Sequence, residues 1–436
     1  MKKIILILLF LSLFSSQYLY SQSGWALIDP GYNQVYNSVH FINANTGMAC
    51  GLNGVIIKTT NGGMNWTDLP TGVSTSLNDI KMFNTDCAIA VSDYQLIIRT
   101  TNGGSNWILV HPAVSEDHSI QNLNVFNNSQ AMAFSEYYYS SSYYRYIYKT
   151  TDLGASWQIN PTYVSGSWIH FIDVNTGWAY GSTHYGPPLN EYYLDINKTI
   201  NGGTNWSLIC RGSGISINPG QIYFYNSNIG MKYSHIGTVY LMYSNDGGYN
   251  WNGTGLSLNQ LIRCFYFVNA QKGWFVGDNS MIYYSSNSGV NWTQQTSPIN
   301  TNFQKVYFID ENTGWIAAGY SGILKTTTGG ILGIIKLGTD SPNSFSLSQN
   351  YPNPFNPTTK IKFDIAPSPS GEGRGEVVTL KIYDILGREV ATLVNEELKP
   401  GSYKYQWDGS NFASGVYFYQ LITNDFSQTK KMIIMK

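Results

Sequence analysis

TTNGGMNW, running from Thr59 to Trp66, is the stretch of the chain that decides the fold. Five similar stretches follow it, and they end at Trp107, Trp157, Trp206, Trp251 and Trp292. The step between tryptophans ranges from 41 residues (Trp66 to Trp107) to 50 residues (Trp107 to Trp157). Repeats of this length are typical of the four-stranded blades of a β-propeller.

A second landmark keeps the same period, and consists of a phenylalanine, a polar turn and a small-aromatic strand. It is clearest as FINANTGMACG from Phe41, FIDVNTGWAYG from Phe171, FVNAQKGWFVG from Phe267 and FIDENTGWIAAG from Phe308. Weaker copies begin at Phe83, Phe126 and Phe224. One such blade cannot bury both of its faces, so neighbours must stack around an axis. Seven copies predict an all-β, seven-bladed propeller.

The two ends of the repeat region predict how the ring closes. The seventh copy reaches ILKTTTGG (Ile323 to Gly330), but Gly333 stands where its tryptophan would fall. Trp25, in the segment Gly24 to Ile28, precedes Trp66 by the same 41 residues that separate Trp66 from Trp107. We therefore expect the N-terminal strand to complete the last blade, which would pair the exposed strand edges.

Composition and charge exclude some functions. Of the 436 residues 12% are Asp, Glu, Lys or Arg and the formal net charge is −1, whereas soluble proteins average about 25% charged residues. Without a basic patch the chain lacks the field that concentrates a polyanion, so nucleic acid is not an expected partner. No cofactor is expected either.

The N-terminus has the features of an export signal. Lys2 and Lys3 precede an apolar run from Ile4 to Phe14, followed by small and polar residues up to Ser23. Residues 1–22 are predicted to be a signal peptide, and no later apolar run is long enough to span a membrane. The four cysteines have no CxxC spacing, so they suggest no metal site, and both disulfides and free thiols remain open for them: Cys50, Cys87, Cys210 and Cys264.

The TTNGGMNW stretch resembles the Asp-box of sialidases, xyloglucan-cleaving endoglucanases and sortilin-like receptors. The whole repeat, with its Phe-and-Gly-Trp half, is most similar to photosystem II assembly-factor-like propellers, over roughly residues 25–330. This resemblance implies the propeller fold. It implies little about substrate, because a residue that recurs in a repeat turn usually serves the turn.

The end of the chain has a different resemblance. NYPNPFNP (Asn350 to Pro357), IYDILGREV from Ile382, GSYKYQWDG from Gly401 and KKMIIMK (Lys430 to Lys436) follow one another in order. This segment is similar to the type A sorting domain that the bacterial type IX secretion system recognises. Its alternating strands and glycine turns read independently as a small immunoglobulin-like β-sandwich.

These observations predict four segments. Residues 1–22 form the signal peptide, and residues 23–337 form the propeller with its N-terminal strand in the last blade. A linker at 338–344 leads to the sorting domain at 345–436. The resemblance implies passage through the periplasm to the extracellular space or outer cell surface, with the type IX machinery as partner. We expect a monomer.

Glycoside hydrolysis is the alternative that the Asp-box resemblance raises. A sialidase needs arginines that converge on a carboxylate, and other hydrolases need two carboxylates in a cleft. The propeller has four scattered arginines, and its loops offer few acids: Arg99, Arg145, Arg211 and Arg263, with Glu116, Glu136, Glu191 and Asp195. The histidines show no metal-ligand spacing, and His40 and His170 share one repeat position, which favours packing.

Two tyrosine-rich insertions favour a binding protein. Repeats three and four carry extra residues at Ser135 to Tyr148 and Ser182 to Tyr193, between their second and third strands. Tyrosine and serine together provide amphipathic contact area at low entropic cost, although the rings could instead pack on one another. The candidate binding residues are Tyr138, Tyr139, Tyr143, Tyr144, Tyr192 and Tyr193. We therefore expect a secreted, non-catalytic propeller that binds a protein or a polysaccharide.

Overall fold

The computed structural model describes the chain in twelve stretches. They are residues 24–111, 119–139, 142–164, 168–185, 191–213, 218–236, 238–330, 334–337, 342–356, 358–367, 376–409 and 412–435. Within these stretches the regular structure is β-strand, apart from two short 3₁₀ turns at Leu52–Gly54 and Asp93–Gln95. The described strands form nine four-stranded antiparallel sheets, seven in residues 24–330 and two in the C-terminal part. The prediction of an all-β protein is confirmed.

The first strand, β1 (Gly24–Ile28), precedes the sheets, which we number along the chain. Sheets 1 to 3 are β2 (Tyr36–Phe41), β3 (Gly47–Gly51), β4 (Ile56–Thr59), β5 (Thr67–Asp68); β6 (Leu77–Met82), β7 (Ala88–Ser92), β8 (Ile97–Thr100), β9 (Ile108–His111); and β10 (Ser119–Val125), β11 (Ala131–Tyr139), β12 (Ser142–Thr150), β13 (Gln158–Pro161).

Sheets 4 to 6 have four consecutive strands each, whereas sheet 7 has three consecutive strands and β1 as its fourth. They are β14 (Trp168–Phe171), β15 (Gly177–Tyr185), β16 (Glu191–Thr199), β17 (Ser207–Ser213); β18 (Asn218–Phe224), β19 (Gly230–Ile236), β20 (Thr238–Ser244), β21 (Asn252–Leu258); β22 (Ile262–Phe267), β23 (Gly273–Gly277), β24 (Ile282–Ser285), β25 (Thr293–Gln294); and β26 (Lys305–Phe308), β27 (Gly314–Ala317), β28 (Ile323–Gly330).

The repeated TTNGGMNW stretch forms a turn between the third and fourth strands. In the first copy the Thr59 hydroxyl accepts the amide hydrogen of Gly63 at 2.9 Å, and the Asn61 side chain accepts that of Asn65 at 2.9 Å. Gly62 and Gly63 have φ angles of 71° and 93°, a region that favours glycine. The same threonine or serine contact recurs in the other copies, ending with Thr326 and Gly330 at 2.7 Å. The repeated polar residues thus stabilise the turn.

The sheets form a closed ring. The first strand of each sheet contacts that of the next, in the order β2, β6, β10, β14, β18, β22 and β26, and β26 contacts β2. Tryptophan and phenylalanine rings stack between neighbours, with centroids 3.8 Å apart for Trp178 and Phe224. The closing interface repeats this contact, because Trp315 of sheet 7 stacks on Phe41 of sheet 1 at 3.5 Å.

Sheet 7 takes its fourth strand from the N-terminus. β1 is antiparallel to β28, with Gly24 opposite Gly330 and Ile28 opposite Ile323. Trp25 is completely buried, packs edge-on against Phe308 and donates its indole hydrogen to the Gln295 side chain at 2.9 Å. The start of the repeat region is thereby joined to its end.

The C-terminal part is a two-sheet sandwich. One sheet has the order β29 (Ile334–Leu337), β34 (Gly401–Asp408), β31 (Thr358–Ile365) and β30 (Ser346–Leu347). The other has the order β33 (Glu389–Leu398), β32 (Glu376–Tyr383), β35 (Gly415–Ile422) and β36 (Ser427–Ile434). One core, which includes Phe363, Leu380, Trp407 and Tyr419, lies between them. This arrangement fits an immunoglobulin-like domain, as expected.

The structure differs from the expected domain boundary at one strand. The repeat pattern predicts residues 334–337 at the end of the propeller, whereas β29 is hydrogen-bonded to β34, with Ile334 opposite Tyr405. This four-residue strand ends directly before the segment assigned as linker. The repeat pattern could not reveal its place, because its partner β34 lies in the C-terminal part.

Candidate binding face and central channel

One face of the ring carries the longest hairpins. In an antiparallel sheet, the turn between the second and third strands lies at the edge where the first strand begins. β11 and β12 have nine residues each, as do β15 and β16, whereas β3 and β4 have five and four. The insertions of sheets 3 and 4 therefore extend these strands at the face where β2, β6 and β10 begin, which we call the loop face.

The predicted binding tyrosines lie on these hairpins, and the structure describes two of their side chains. Tyr144 is 40% exposed, and Tyr193 is half-buried with the Arg211 guanidinium 5.0 Å from its ring centre. Tyr138 pairs with Tyr143 across β11 and β12, and Tyr192 pairs with His184 across β15 and β16. The side chains of Tyr138, Tyr139, Tyr143 and Tyr192 lie outside the described part, so a shared tyrosine surface stays a prediction.

The central channel opens at the loop face. Its mouth is a cavity of about 620 Å³. The lining includes residues at the starts of the first strands of the sheets, such as Asn37, Asn78 and Ser119. The Asn78 amide donates to Asp93 and to Ser119, both at 2.9 Å, and the Asn37 amide donates to the Leu77 carbonyl at 3.0 Å. Side-chain amides and hydroxyls thus link neighbouring sheets and form a polar rim.

A smaller cavity of about 310 Å³, which we call the channel chamber, adjoins the mouth, since Gln221, Arg263 and Lys305 line both. Its wall includes the penultimate residue of the first strand of each of the seven sheets. These residues form a mixed polar and aromatic ring: His40, Lys81, Asn124, His170, Tyr223, Tyr266 and Tyr307.

The two histidines of the chamber are packed and neutral. The His40 Nδ1 accepts the amide hydrogen of Met82 at 3.3 Å, and the His170 Nε2 lies 2.8 Å from the Phe224 carbonyl oxygen. Burial lowers the pKa of His170 to about 4, and burial together with Lys81 lowers the pKa of His40 well below its usual range. Their shared repeat position reflects this packed role in the channel wall.

A charge cluster, which sequence reasoning missed, lies where the mouth meets the chamber. Asp79 is 2% exposed and accepts hydrogen bonds from Ser38 at 2.6 Å and Lys305 at 2.9 Å, while the Lys81 ammonium lies 3.5 Å away. Burial raises the pKa of Asp79, but the two lysines lower it by more, so its carboxylate stays charged. Burial lowers the pKa of Lys81. Because Lys305 is 226 residues from Asp79, no local spacing connects them.

The charged residues considered for glycoside hydrolysis are held by partners in the scaffold wherever the structure describes their side chains. Two of the acids form ion pairs with two of the arginines, Glu136 with Arg145 and Asp195 with Arg211. Arg99 donates to the Leu153 carbonyl at 2.7 Å, and Arg263 pairs with Asp278. The four arginines therefore point to four separate partners. Glu116 and the Glu191 side chain lie outside the described part.

Other site classes find no support in the described part of the chain. It contains no group of three or more His, Cys, Asp or Glu side chains that could hold a metal ion. No helix among the described residues is long and apolar enough to cross a bilayer. Cys50, Cys87, Cys210 and Cys264 are all free thiols.

The fold and the C-terminal domain define the class, which is a secreted β-propeller protein with a C-terminal sorting domain. The predicted signal peptide, residues 1–22, lies outside the described part of the chain. Residues 349–435 match the family described as the secretion system C-terminal sorting domain. Residues 18–182 match the family described as photosynthesis system II assembly factor YCF48. The resemblances to photosystem II assembly-factor-like propellers and to the type IX sorting domain are confirmed. The sorting domain indicates export by type IX secretion to the cell surface or the extracellular space.

Solved structures with the same fold include YCF48 from Cyanidioschyzon merolae, which is 15% identical with a TM-score of 0.50, over 69% of this chain and 98% of that one. U3-55K is 9% identical with a TM-score of 0.52, over 70% of this chain and 98% of that one. A structure of YCF48 bound to a D1 peptide is 19% identical with a TM-score of 0.49, over 70% of this chain and 97% of that one. No match was found among the curated proteins.

Proposed function

We propose that the propeller is a non-catalytic binding domain, and that its loop face binds a protein or polysaccharide chain outside the cell. The observation that carries this proposal is the pairing of an open, polar channel mouth with two lengthened hairpins on the same face. Ligand sites are typically concave and combine apolar surface with a few placed polar groups. The amides of the rim and the tyrosines of the hairpins supply both.

The charge arrangement supports binding over catalysis. Catalytic carboxylates act in a cleft with a pKa suited to proton transfer. Glu136 and Asp195 instead form close ion pairs with arginines of their own sheets. The family matched over residues 18–182 is one of assembly factors, a description that also favours a binding role.

The test is a binding screen with the mature, full-length protein. An immobilised glycan set and detergent-extracted outer-membrane proteins serve as the two arms, and Tyr144→Ser in the β11–β12 hairpin serves as the binding variant. A matched control is Tyr249→Ser, because Tyr249 is 54% exposed but lies in the Asp-box turn of sheet 5, at the opposite end of the strands.

The expected result is capture in one of the two arms that Tyr144→Ser weakens and Tyr249→Ser does not. Release of reducing ends from a polysaccharide incubated with the protein would contradict the non-catalytic assignment. Equal capture by the protein and both variants would remove the β11–β12 hairpin from the site.

A further inference from the structure

The channel chamber holds more positive than negative charge. Lys81 and Lys305 line the chamber, and Asp79, which lines the adjoining mouth, is the single anion of their cluster. Arg263, which also lines the chamber, is already paired with Asp278 and donates to Gln304 at 3.1 Å. Lys81 and Asp79 are buried, with exposed side-chain fractions of 11% and 3%, whereas the Lys305 side chain is 25% exposed.

The Asp79 carboxylate leaves Lys81 poorly satisfied. One oxygen accepts from Lys305 at 2.9 Å, and the other accepts from Ser38 at 2.6 Å and from the Ile80 amide at 3.0 Å. The Lys81 ammonium lies 3.5 Å from that second oxygen, the longest contact in the cluster. A buried ammonium with three donors is costly to leave incompletely paired. A second carboxylate would supply the missing acceptors.

We infer that the channel chamber binds a carboxylate group, with the Lys81 ammonium as its ionic partner. A monoanion matches the single excess positive charge, and charge-assisted hydrogen bonds to lysine are among the stronger ones in proteins. The Tyr223, Tyr266 and Tyr307 rings provide the walls around the rest of the ligand. The cavity of about 310 Å³ equals roughly ten water volumes, which suits one small organic acid or one acidic sugar residue.

The ligand reaches the chamber through the channel mouth, because the mouth and the chamber share Gln221, Arg263 and Lys305. The proposed polymer binding rests on the hairpins together with the mouth, whereas the chamber is a separate cavity. A chain that binds no polymer would still bind a small acid here, so the two proposals fail independently.

The experiment uses the mature, full-length protein at neutral pH and constant ionic strength. Sodium acetate is the probe, and acetamide is its uncharged match. Saturation-transfer NMR on the unsubstituted protein detects contact directly, and titration calorimetry gives the affinity. We expect saturation transfer to acetate, competition between acetate and D-galacturonate, and no transfer to acetamide.

Lys81→Met is the informative substitution, because it removes the excess charge and leaves Asp79 paired with Lys305 and Ser38. We expect it to weaken acetate binding about tenfold, which corresponds to the loss of one charged contact. Lys232→Met is the matched control. Lys232 is also buried, but it lies over the Tyr180 and Trp251 rings between sheets, away from the chamber.

A uronic-acid trisaccharide distinguishes the two possible sources of the carboxylate, which are a free small acid and the acid group of a longer sugar chain. If it displaces acetate, the acid group of a longer chain enters the chamber, and if it does not, the site takes free small acids. Three results would overturn the inference. They are no transfer to acetate, equal transfer to acetamide, or equal acetate affinity in the unsubstituted protein and Lys81→Met.

Discussion

His170 links the charge state of the chamber wall to the stability of the propeller. Burial lowers its pKa from 6.5 to about 4, so the unfolded chain takes up a proton before the folded protein does. The stability due to the neutral ring is complete above pH 6.5 and is lost as the pH falls towards 4. By linkage this loss is about 3 kcal/mol.

The corresponding measurement is urea unfolding at several pH values between 7 and 4 for the unsubstituted protein and His170→Gln, whose amide retains a donor for the Phe224 carbonyl. We expect a shallower pH dependence in the variant. Asp79 does not obscure this window, because its pKa is lowered and its contribution is lost only at more acidic pH. Identical slopes for both proteins would show that His170 does not titrate on unfolding.

Asp79 is the residue whose removal should cost most in the chamber. Asp79→Asn leaves the Lys81 and Lys305 ammonium groups without their anion, and breaking a buried ion pair costs about 3 to 5 kcal/mol. Asp86→Asn removes an exposed carboxylate from the β6–β7 turn of the same sheet and should change the free energy of unfolding by under about 0.5 kcal/mol. Equal denaturation midpoints would contradict the buried-cluster account.

At this scale the sequence predicted the scaffold better than the site. The turn role of Thr59 and Asn61 follows from their recurrence, and His40 and His170 could be placed at one repeat position. The same position in other copies holds Lys81, Tyr223 and Tyr266, so aligning all copies would have indicated the chamber. The contact of Asp79 with Lys305 could not be found in this way, because only ring closure brings sheets 2 and 7 across the channel.

Among the elements, the five-residue strand β1 closes the ring. Trp25 is completely buried against Phe308 and bonded to Gln295, and truncation of a buried tryptophan costs about 3 to 5 kcal/mol. Trp25→Ala should therefore lower the free energy of unfolding by that amount, and deletion of Gly24–Ile28 should lower it further by exposing the edge of β28. Both are measured by denaturant unfolding.

Leu27→Ala is the control on the same strand, because the Leu27 side chain is 40% exposed. We expect it to cost far less than Trp25→Ala. If the deletion variant unfolded like the intact protein, β1 would contribute nothing to ring closure.

Element positions could be predicted where a pattern repeats and could not where it stops. The polar turns and small-aromatic strands indicated the strands of sheets 1, 4, 6 and 7 directly. The insertions of sheets 3 and 4 could be placed between the second and third strands, but nothing local tells whether a tyrosine such as Tyr193 faces solvent or, as here, packs against an arginine. Strand β29 was misplaced for a related reason, since its partner β34 lies about 70 residues further along the chain.

At the scale of the whole molecule, the two parts should have separable roles in export. The sorting domain is the match at residues 349–435, but its sheet begins at β29, which pairs with β34. A truncation after Gly330 therefore removes the whole sheet and leaves β28 paired with β1. Deletion from Phe345 instead leaves β29 without its partner. The shorter variant is the cleaner test of secretion.

We predict that the chain truncated after Gly330 accumulates in the periplasm as a folded propeller, while the full chain reaches the cell surface or the medium. Fractionation with antibody detection measures the location, and protease resistance of the periplasmic species reports that the ring is intact. Fusion of residues 331–436 to an unrelated periplasmic protein is the reciprocal arm and should carry that protein outside. The truncated chain appearing outside in normal amounts would show that the propeller itself carries an export signal. If instead the truncated chain were degraded, the fusion would still decide whether the C-terminal domain is sufficient, because its core of Phe363, Leu380, Trp407 and Tyr419 lies entirely within residues 331–436.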